Sequence, residues 1–357
     1  MPVNWRKIRV LIVDDSATVR KVLTEALSKD PQIEVVGTAC DAFVARDKIL
    51  EMQPDVLTLD VEMPRMDGIT FLKILMKHRP MPVIVVSAVT KSGSEKALEA
   101  LQAGAVEVLA KPASSISVGE LAGQLAEKVK IAAQARVIST APSGVQFNRR
   151  DHASTKTTYD PRQIILLGAS TGGTEALKEI LTQLPAGLPG ICIVQHIHPA
   201  FSKAFADRLN QVCRIEVREG ADRDLIQPGL ALVAPSGCHM LLRWHGDHYR
   251  VQLKQGPMVH HQMPSVDVLF NSAADCVEKH AVAALLTGMG KDGAVGMQKL
   301  KNNGSQTIAQ DEATCTVFGM PRAAIELGAA DYVLPLPRIA QAIMRLVARP
   351  FEPLKFS

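Results

Sequence analysis

Three short stretches of the chain carry residue types that together could perform acyl transfer. Gly168-Ala169-Ser170-Thr171-Gly172 follows an apolar run and precedes a helical pattern. It fits G-x-S-x-G, a sharp turn that exposes a serine at a strand end. The helix start behind Ser170 offers unpaired N–H groups and a positive dipole end, suited to an oxyanion. Alone this pentapeptide says little, because Gly-Ser turns are common. Two further strand ends strengthen it. The apolar run 191–195 ends at His196, and 281–286 leads into Thr287-Gly288-Met289-Gly290-Lys291-Asp292-Gly293. A serine, a histidine and an aspartate at the carboxyl ends of three strands is what a triad needs: the histidine accepts the serine proton, and the aspartate fixes the tautomer and stabilises imidazolium. The chain order Ser, His, Asp differs from the α/β-hydrolase order, so that fold is not implied.

A second constellation lies in the first third. Asp14 and Asp15 end one apolar run, Asp60 another, Ser87 a third and Lys111 a fourth. In a doubly wound sheet, the carboxyl ends of central strands converge on one crevice. Three carboxylates there repel unless a cation neutralises them, and oxygen-only ligation suits Mg²⁺. With a hydroxyl and an ammonium facing the same crevice, the set suggests phosphoryl transfer to Asp60. Lys111-Pro112 is a candidate cis peptide.

Other readings of the same residues compete. Gly288 to Gly293 also matches G-x-G-x-x-G, with Asp311 near the acidic offset of a dinucleotide site. Against this, Asp292 in the turn would repel a pyrophosphate, and the fingerprint normally marks a domain's first strand. His196 and His198, two apart on an extended segment, could ligate zinc, with His260-His261 as further imidazoles; Pro199 favours a simple loop start at His198. His239, His245 and His248 flank a turn and read as surface residues.

Alternating apolar and amphipathic runs must position these groups. Strands are expected at 8–13, 33–38, 56–60, 83–87 and 105–110, with helices at 17–28, 41–52, 67–78, 95–101 and 117–134. Five such units fit a flavodoxin-like, doubly wound parallel sheet. From about 135 to 159, Ser, Thr, Arg and Pro dominate, which reads as an exposed linker. Strands resume at 163–168, 191–195, 230–234, 281–286 and 306–310, with helices near 173–184, 200–210, 265–279, 292–303, 320–328 and 337–347. Segments 240–244 and 249–253 around a Gly-Asp turn read as a hairpin. The expectation is an α/β chain of two doubly wound parallel-sheet domains, the second Rossmann-like with a β-hairpin insertion: 4–128, a linker at 129–160, and 161–350.

These motifs resemble two known families. Val13-Asp14-Asp15-Ser16, Leu59-Asp60-Val61-Glu62-Met63-Pro64-Arg65-Met66-Asp67-Gly68, Ser87-Ala88 and Lys111-Pro112 resemble the receiver domain of two-component response regulators over about 4–128. The resemblance implies Asp60 as phosphoacceptor, Asp14 and Asp15 as the metal pair, the Glu62 carbonyl as backbone ligand to Mg²⁺, and Ser87 and Lys111 as switch residues. Val108 stands where many receivers have a switching Tyr or Phe. Gly168 to Gly173, Gln195-His196, Pro264-Ser265-Val266-Asp267 and Thr287 to Gly293 resemble the chemotaxis protein-glutamate methylesterases over about 160–348. That resemblance implies a serine esterase with no cofactor. It would hydrolyse glutamyl γ-methyl esters on chemoreceptor signalling helices, deamidate receptor glutamines, and take its phosphoryl group from a chemotaxis histidine kinase. Ser170, His196 and Asp292 take the triad positions, and the Thr171 and Met289 N–H groups the oxyanion positions. Met263 stands where many members have Arg. The receiver is expected to pack over the Ser170 crevice and to loosen on phosphorylation.

Bulk composition agrees. The 357 residues are 47% apolar and 21% charged with a net charge of +4, which argues against nucleic acid as the main partner. A transcription factor would need a compact basic output, and a non-catalytic adaptor would be expected to have lost its Ser/His/Asp set. Six scattered cysteines without CxxC read as free thiols in a reducing cytoplasm. The absence of an N-terminal apolar region and of any bilayer-length run also points to a cytoplasmic protein.

Overall fold

The computed structural model describes residues 6–87, 90–111, 118–137, 159–160 and 162–348. Most of the expected linker and Pro112, with its candidate cis bond, lie outside these. The chain divides into two compact units, Met1–Ser143 and Gly144–Ser357.

The first unit alternates β1 (Ile8–Val13), α1 (Ala17–Leu27), β2 (Ile33–Ala39), α2 (Ala42–Met52), β3 (Val56–Asp60), α3 (Gly68–His78), β4 (Val83–Ser87), α4 (Lys91–Gln102), β5 (Glu107–Ala110) and α5 (Val118–Ala132). Its sheet is parallel with order β2-β1-β3-β4-β5. The central strands β3 and β4 are buried along their whole length and mostly apolar, as in parallel sheets covered by helices. Short polar side chains start the helices. Ser16 accepts from the Val19 N–H, Asp41 from Phe43 and Val44, and Asp67 from Ile69 and Thr70.

The second unit contains β6 (Ile164–Ala169), α6 (Gly173–Gln183), β7 (Gly190–Gln195), α7 (Pro199–Val212), β8 (Glu216–Glu219), β9 (Leu225–Ile226), β10 (Leu230–Val233), β11 (His239–Trp244), β12 (Tyr249–Lys254), α8 (Val266–Ala274), β13 (Ala281–Leu285), α9 (Ala294–Asn302), β14 (Gln306–Gln310), α10 (Met320–Glu326), β15 (Tyr332–Leu334) and α11 (Leu336–Val347). A seven-stranded parallel sheet runs β15-β14-β13-β6-β7-β10-β8. The chain winds to one side of β6 through β7 and later to the other through β13, so the order reverses at β6, where ligands bind in such sheets.

Three strands escape sequence inspection. Glu216–Glu219 carries charge along its length because it is an edge strand. Tyr332–Leu334 is only three residues long. Leu225–Ile226 pairs with β12, so the expected hairpin is a three-stranded antiparallel sheet. One expectation is corrected: His239 is buried in the first position of β11, with both ring nitrogens engaged, and is not a surface residue. Among the described residues, no helix is long and apolar enough to cross a membrane. All six cysteines are free; burial pushes the Cys192 and Cys315 thiols up to about 12, which makes them poor nucleophiles.

Candidate active site and receiver pocket

Register brings Ser170 and His196 to one level, beside Thr287, which opens the loop that carries Asp292. Ala169 pairs with Gln195 and Gly168 with Leu285. Ser170 therefore leaves β6 beside His196 leaving β7 and Thr287 leaving β13. Ser170 N–H donates to the Thr287 carbonyl at 3.0 Å, and His196 N–H to the Ala169 carbonyl at 3.0 Å.

The Ser170–Gly173 segment is a type II turn. Gly173 N–H closes it on the Ser170 carbonyl at 2.7 Å, and Gly172 takes the left-handed third position at φ 76°. A Cβ on Gly172 would stand 2.3 Å from Thr316 Oγ1. Gly172→Ala is therefore expected to cost at least about 2 kcal/mol of stability, read as a fall in the denaturant midpoint.

The Ser170 carbonyl also accepts from Gln195 Nε2 at 2.8 Å. Both of its donors lie on the α6 and β7 side. Because C=O and N–H point in opposite directions across a planar trans peptide, the Thr171 N–H is directed the other way. The same reasoning applies to Met289. The Gly288 carbonyl accepts from Gly319 and Met320 N–H at 3.0 and 2.8 Å, which turns the Met289 N–H away from α10. Gly288 abuts the serine so closely that a Cβ there would stand 2.6 Å from Ser170 Cβ.

His196 is buried, and its Nε2 meets Asp292 Oδ2 at 2.9 Å. Its Nδ1 is buried with no hydrogen-bond partner among the described residues. The ring thus presents Nε2 to the aspartate, opposite to the chymotrypsin-type arrangement in which Nδ1 does so.

Asp292 sits at the N-terminus of α8. Ser265 Oγ and the Asp267 N–H donate to Oδ1 at 2.7 and 3.0 Å, and the Val266 N–H to Oδ2 at 2.8 Å. Burial pushes this carboxyl up, but the His196 contact and these donors outweigh it and hold it below the usual carboxylate range. The first-turn residues 265–267 belong to a motif noted in the sequence, yet nothing in that motif showed that their backbone would cradle Asp292. Thr287 and Gln310 were also missed. Thr287 Oγ1 donates to the Thr171 carbonyl at 3.0 Å, and Gln310 Oε1 accepts the Thr287 N–H at 2.8 Å.

The rival readings lose their residues. Asp311 caps its own turn, accepting the N–H and hydroxyl of Thr314. His198 caps α7 through the Ala200 N–H, while His196 turns to Asp292, so the two imidazoles serve different partners. His260, Asp267 and Asp292 offer atoms within 4.8 Å of one another. Those atoms are already engaged: His260 Nε2 and the Gly296 N–H bond Asp267, at 3.1 and 2.7 Å.

In the first unit, Asp14, Asp15 and Asp60 present carboxylate oxygens within 4.8 Å of one another. Lys111 Nζ lies 2.9 Å from Asp14 and 2.7 Å from Asp60. Burial pushes the Asp60 carboxyl up, aided by the Asp14 charge and opposed by Lys111. Burial works against the Lys111 ammonium too, but its bonds to both aspartates outweigh this and raise it. Glu62 N–H reaches Asp60 Oδ1 at 3.3 Å, and Ser87 Oγ donates to the Gly93 carbonyl of α4 at 3.3 Å. Val108 is a buried core residue.

The comparisons with known proteins follow this division. Residues 165–343 match the family model for CheB methylesterase, and residues 10–120 that for the response regulator receiver domain. The chain belongs to the CheB methylesterase family. A protein-glutamate methylesterase/protein-glutamine glutaminase of Syntrophus aciditrophicus is 53% identical over 96% of this chain and 99% of its own length. One from Pseudomonas aeruginosa is 50% identical over 96% and 97%. The crystal structure of the Thermotoga maritima CheB methylesterase catalytic domain matches with 38% identity and a TM-score of 0.51, covering 52% of this chain and 98% of that one. This CheB-family chain is thus an enzyme, a hydrolase that carries a response-regulator receiver.

Proposed function

We propose that the second unit hydrolyses glutamyl γ-methyl esters on chemoreceptor signalling helices and deamidates receptor glutamines, under control of phosphorylation at Asp60. The observation that carries the reading is the convergence of Ser170, His196 and Asp292 on the ends of three adjacent strands, with His196 bonded to Asp292. Ser170 Oγ attacks the ester carbonyl as His196 Nδ1 takes its proton. The Thr171 and Met289 N–H groups receive the oxyanion. His196 returns the proton to the departing methoxide, releasing methanol. Water, deprotonated by His196, then cleaves the acyl-enzyme and restores Ser170. Glutamine deamidation follows the same course with ammonia leaving.

In the receiver, the Asp60 carboxylate attacks the phosphorus of a chemotaxis kinase's phosphohistidine, or of a small acyl phosphate; an aspartyl phosphate forms as the P–N or P–O bond breaks and the imidazole or carboxylate leaves. Lys111 offsets the charge of the incoming phosphoryl group. The oxygens of Asp14, Asp15 and Asp60, with the Glu62 carbonyl, suit Mg²⁺, which when bound supplies further charge neutralisation. The Ser87 hydroxyl re-aims from the Gly93 carbonyl to a phosphoryl oxygen, so the start of α4 is where modification is felt. With Val108 in place of an aromatic, control acts mainly through domain packing.

The test is methanol release from methylated receptor with and without an acyl phosphate. Wild type should be accelerated at least about fivefold and Asp60→Asn should not respond. Removing residues 1–130 should raise the basal rate. A truncated enzyme no faster than the unphosphorylated whole would contradict occlusion by the receiver.

A further inference from the structure

The segment from Pro257 to Ser265 leads from the antiparallel sheet to α8 and carries strained backbone. His260 and His261 are both left-handed, at φ 51° and 61°, in a tight turn closed by reciprocal bonds between Val259 and Gln262 at 3.1 and 2.9 Å. Non-glycine residues in this region cost on the order of 1 kcal/mol each and persist only where surroundings hold them.

His239 is placed to do the holding. Its ring is buried, Nε2–H donates to the Pro257 carbonyl at 3.0 Å, and Nδ1 accepts the Ser265 N–H at 3.2 Å. One imidazole thus joins the two ends of the loop. Gly237 N–H adds a tie to the Met263 carbonyl at 3.2 Å. The loop exit is the part of the chain that cradles Asp292, through Ser265 Oγ and the next two peptide N–H groups.

We propose that His239 is a positioning residue for ester hydrolysis. By fixing the Ser265 N–H, it sets where the first turn of α8 presents its donors to Asp292, and so how Asp292 aims the His196 ring. This rests on the triad reading above. Among the described residues His239 hydrogen-bonds the Pro257 carbonyl and the Ser265 N–H and no triad side chain, so a packing role is the competing account. Its two polar ties are what separate the two roles. The tie to Pro257 only closes the loop, whereas the tie to Ser265 acts on the residue that bonds Asp292.

Two variants of the full-length chain divide these ties. In His239→Asn, the amide oxygen takes the place of Nδ1 and still accepts from Ser265. In His239→Gln, the amide nitrogen takes the place of Nε2 and still donates to Pro257. The expected result is a kcat lowered about tenfold or more in His239→Gln with little change in KM, and a kcat within about twofold of wild type in His239→Asn. Labelling of Ser170 by a fluorophosphonate should slow in the same order, while both variants show similar falls in Tm. Equal kcat in the two variants, or a loss carried by KM, overturns the proposal. Should His239→Gln fail to fold, a tenfold loss of kcat in folded His239→Asn overturns it as well. Ser170→Ala, assayed alongside, separates the two failures. If it stays active, the triad reading itself is wrong; if it is inactive and the His239 variants behave alike, only the positioning role falls.

Discussion

Replacing Ser170 with alanine is expected to lower methanol release by on the order of a million-fold. The side chain sits in a turn whose backbone is fixed from three sides: by Gly173 and Gln195 on its own carbonyl, and by Thr287 on its N–H. Alanine keeps every one of these bonds, so the variant should fold and retain the Tm of wild type. Loss of activity at unchanged stability would then be chemical. Single-turnover measurement of methanol from a methylated receptor checks it, and an unchanged rate would remove Ser170 from the mechanism.

Asp292→Asn should be nearly as severe, with kcat reduced about 10⁴-fold. The carboxylate receives two donors on each oxygen: Ser265 and Asp267 on Oδ1, Val266 and His196 on Oδ2. An amide offers one acceptor atom and one donor, so whichever way it lies, an N–H of the first turn of α8 faces another donor. With the NH₂ toward His196, Nε2 must accept, the ring proton moves to Nδ1, and that nitrogen can no longer take the serine proton.

The same substitution predicts a pH dependence of stability. The Asp292 carboxyl is held below its usual range in the folded chain, because its donors outweigh burial. Its contribution to stability is therefore complete above the ordinary carboxylate pKa of about 4 and is lost as pH falls through the lowered folded value. Denaturation of wild type and Asp292→Asn should show a gap in stability that is constant near neutrality and narrows only below about pH 4. A gap that narrows between pH 8 and pH 6 would assign the effect to another group.

The receiver pocket is almost wholly legible in the amino-acid sequence. Its five groups each end an apolar run, and in a parallel sheet the register of neighbouring strands leaves such ends little freedom; Val13 pairs with Leu59, so Asp14 must stand beside Asp60. The pairing of Ser170 with His196 is legible for the same reason. Each lies directly after a buried strand, and Ala169 paired with Gln195 puts Ser170 beside His196, whereas Asp292 lies farther along the loop after β13.

What stays hidden are relations across long stretches of chain between residues with no pattern of their own. Ser265 and Asp292 are separated by a helix and a strand, and nothing local marks the first turn of α8 as an anion cradle. His239 lies in a segment of mixed polarity that reads as surface, yet it is buried and its ring bonds both ends of the 257–265 loop. Gln310 reaches Thr287 from a neighbouring strand through a side chain that no spacing rule predicts.

Apolar period, turn residues and strand-end chemistry therefore determined the two α/β units, the gathering of Asp14, Asp60 and Lys111, and the placement of Ser170 and His196 side by side, because each is written at or next to a strand end. Only tertiary structure decided which nitrogen of His196 faces Asp292, which donors engage the Ser170 and Gly288 carbonyls, and what holds Asp292 in place. Those depend on hydrogen bonds between distant segments, whose geometry is set when the sheet and its covering helices pack together.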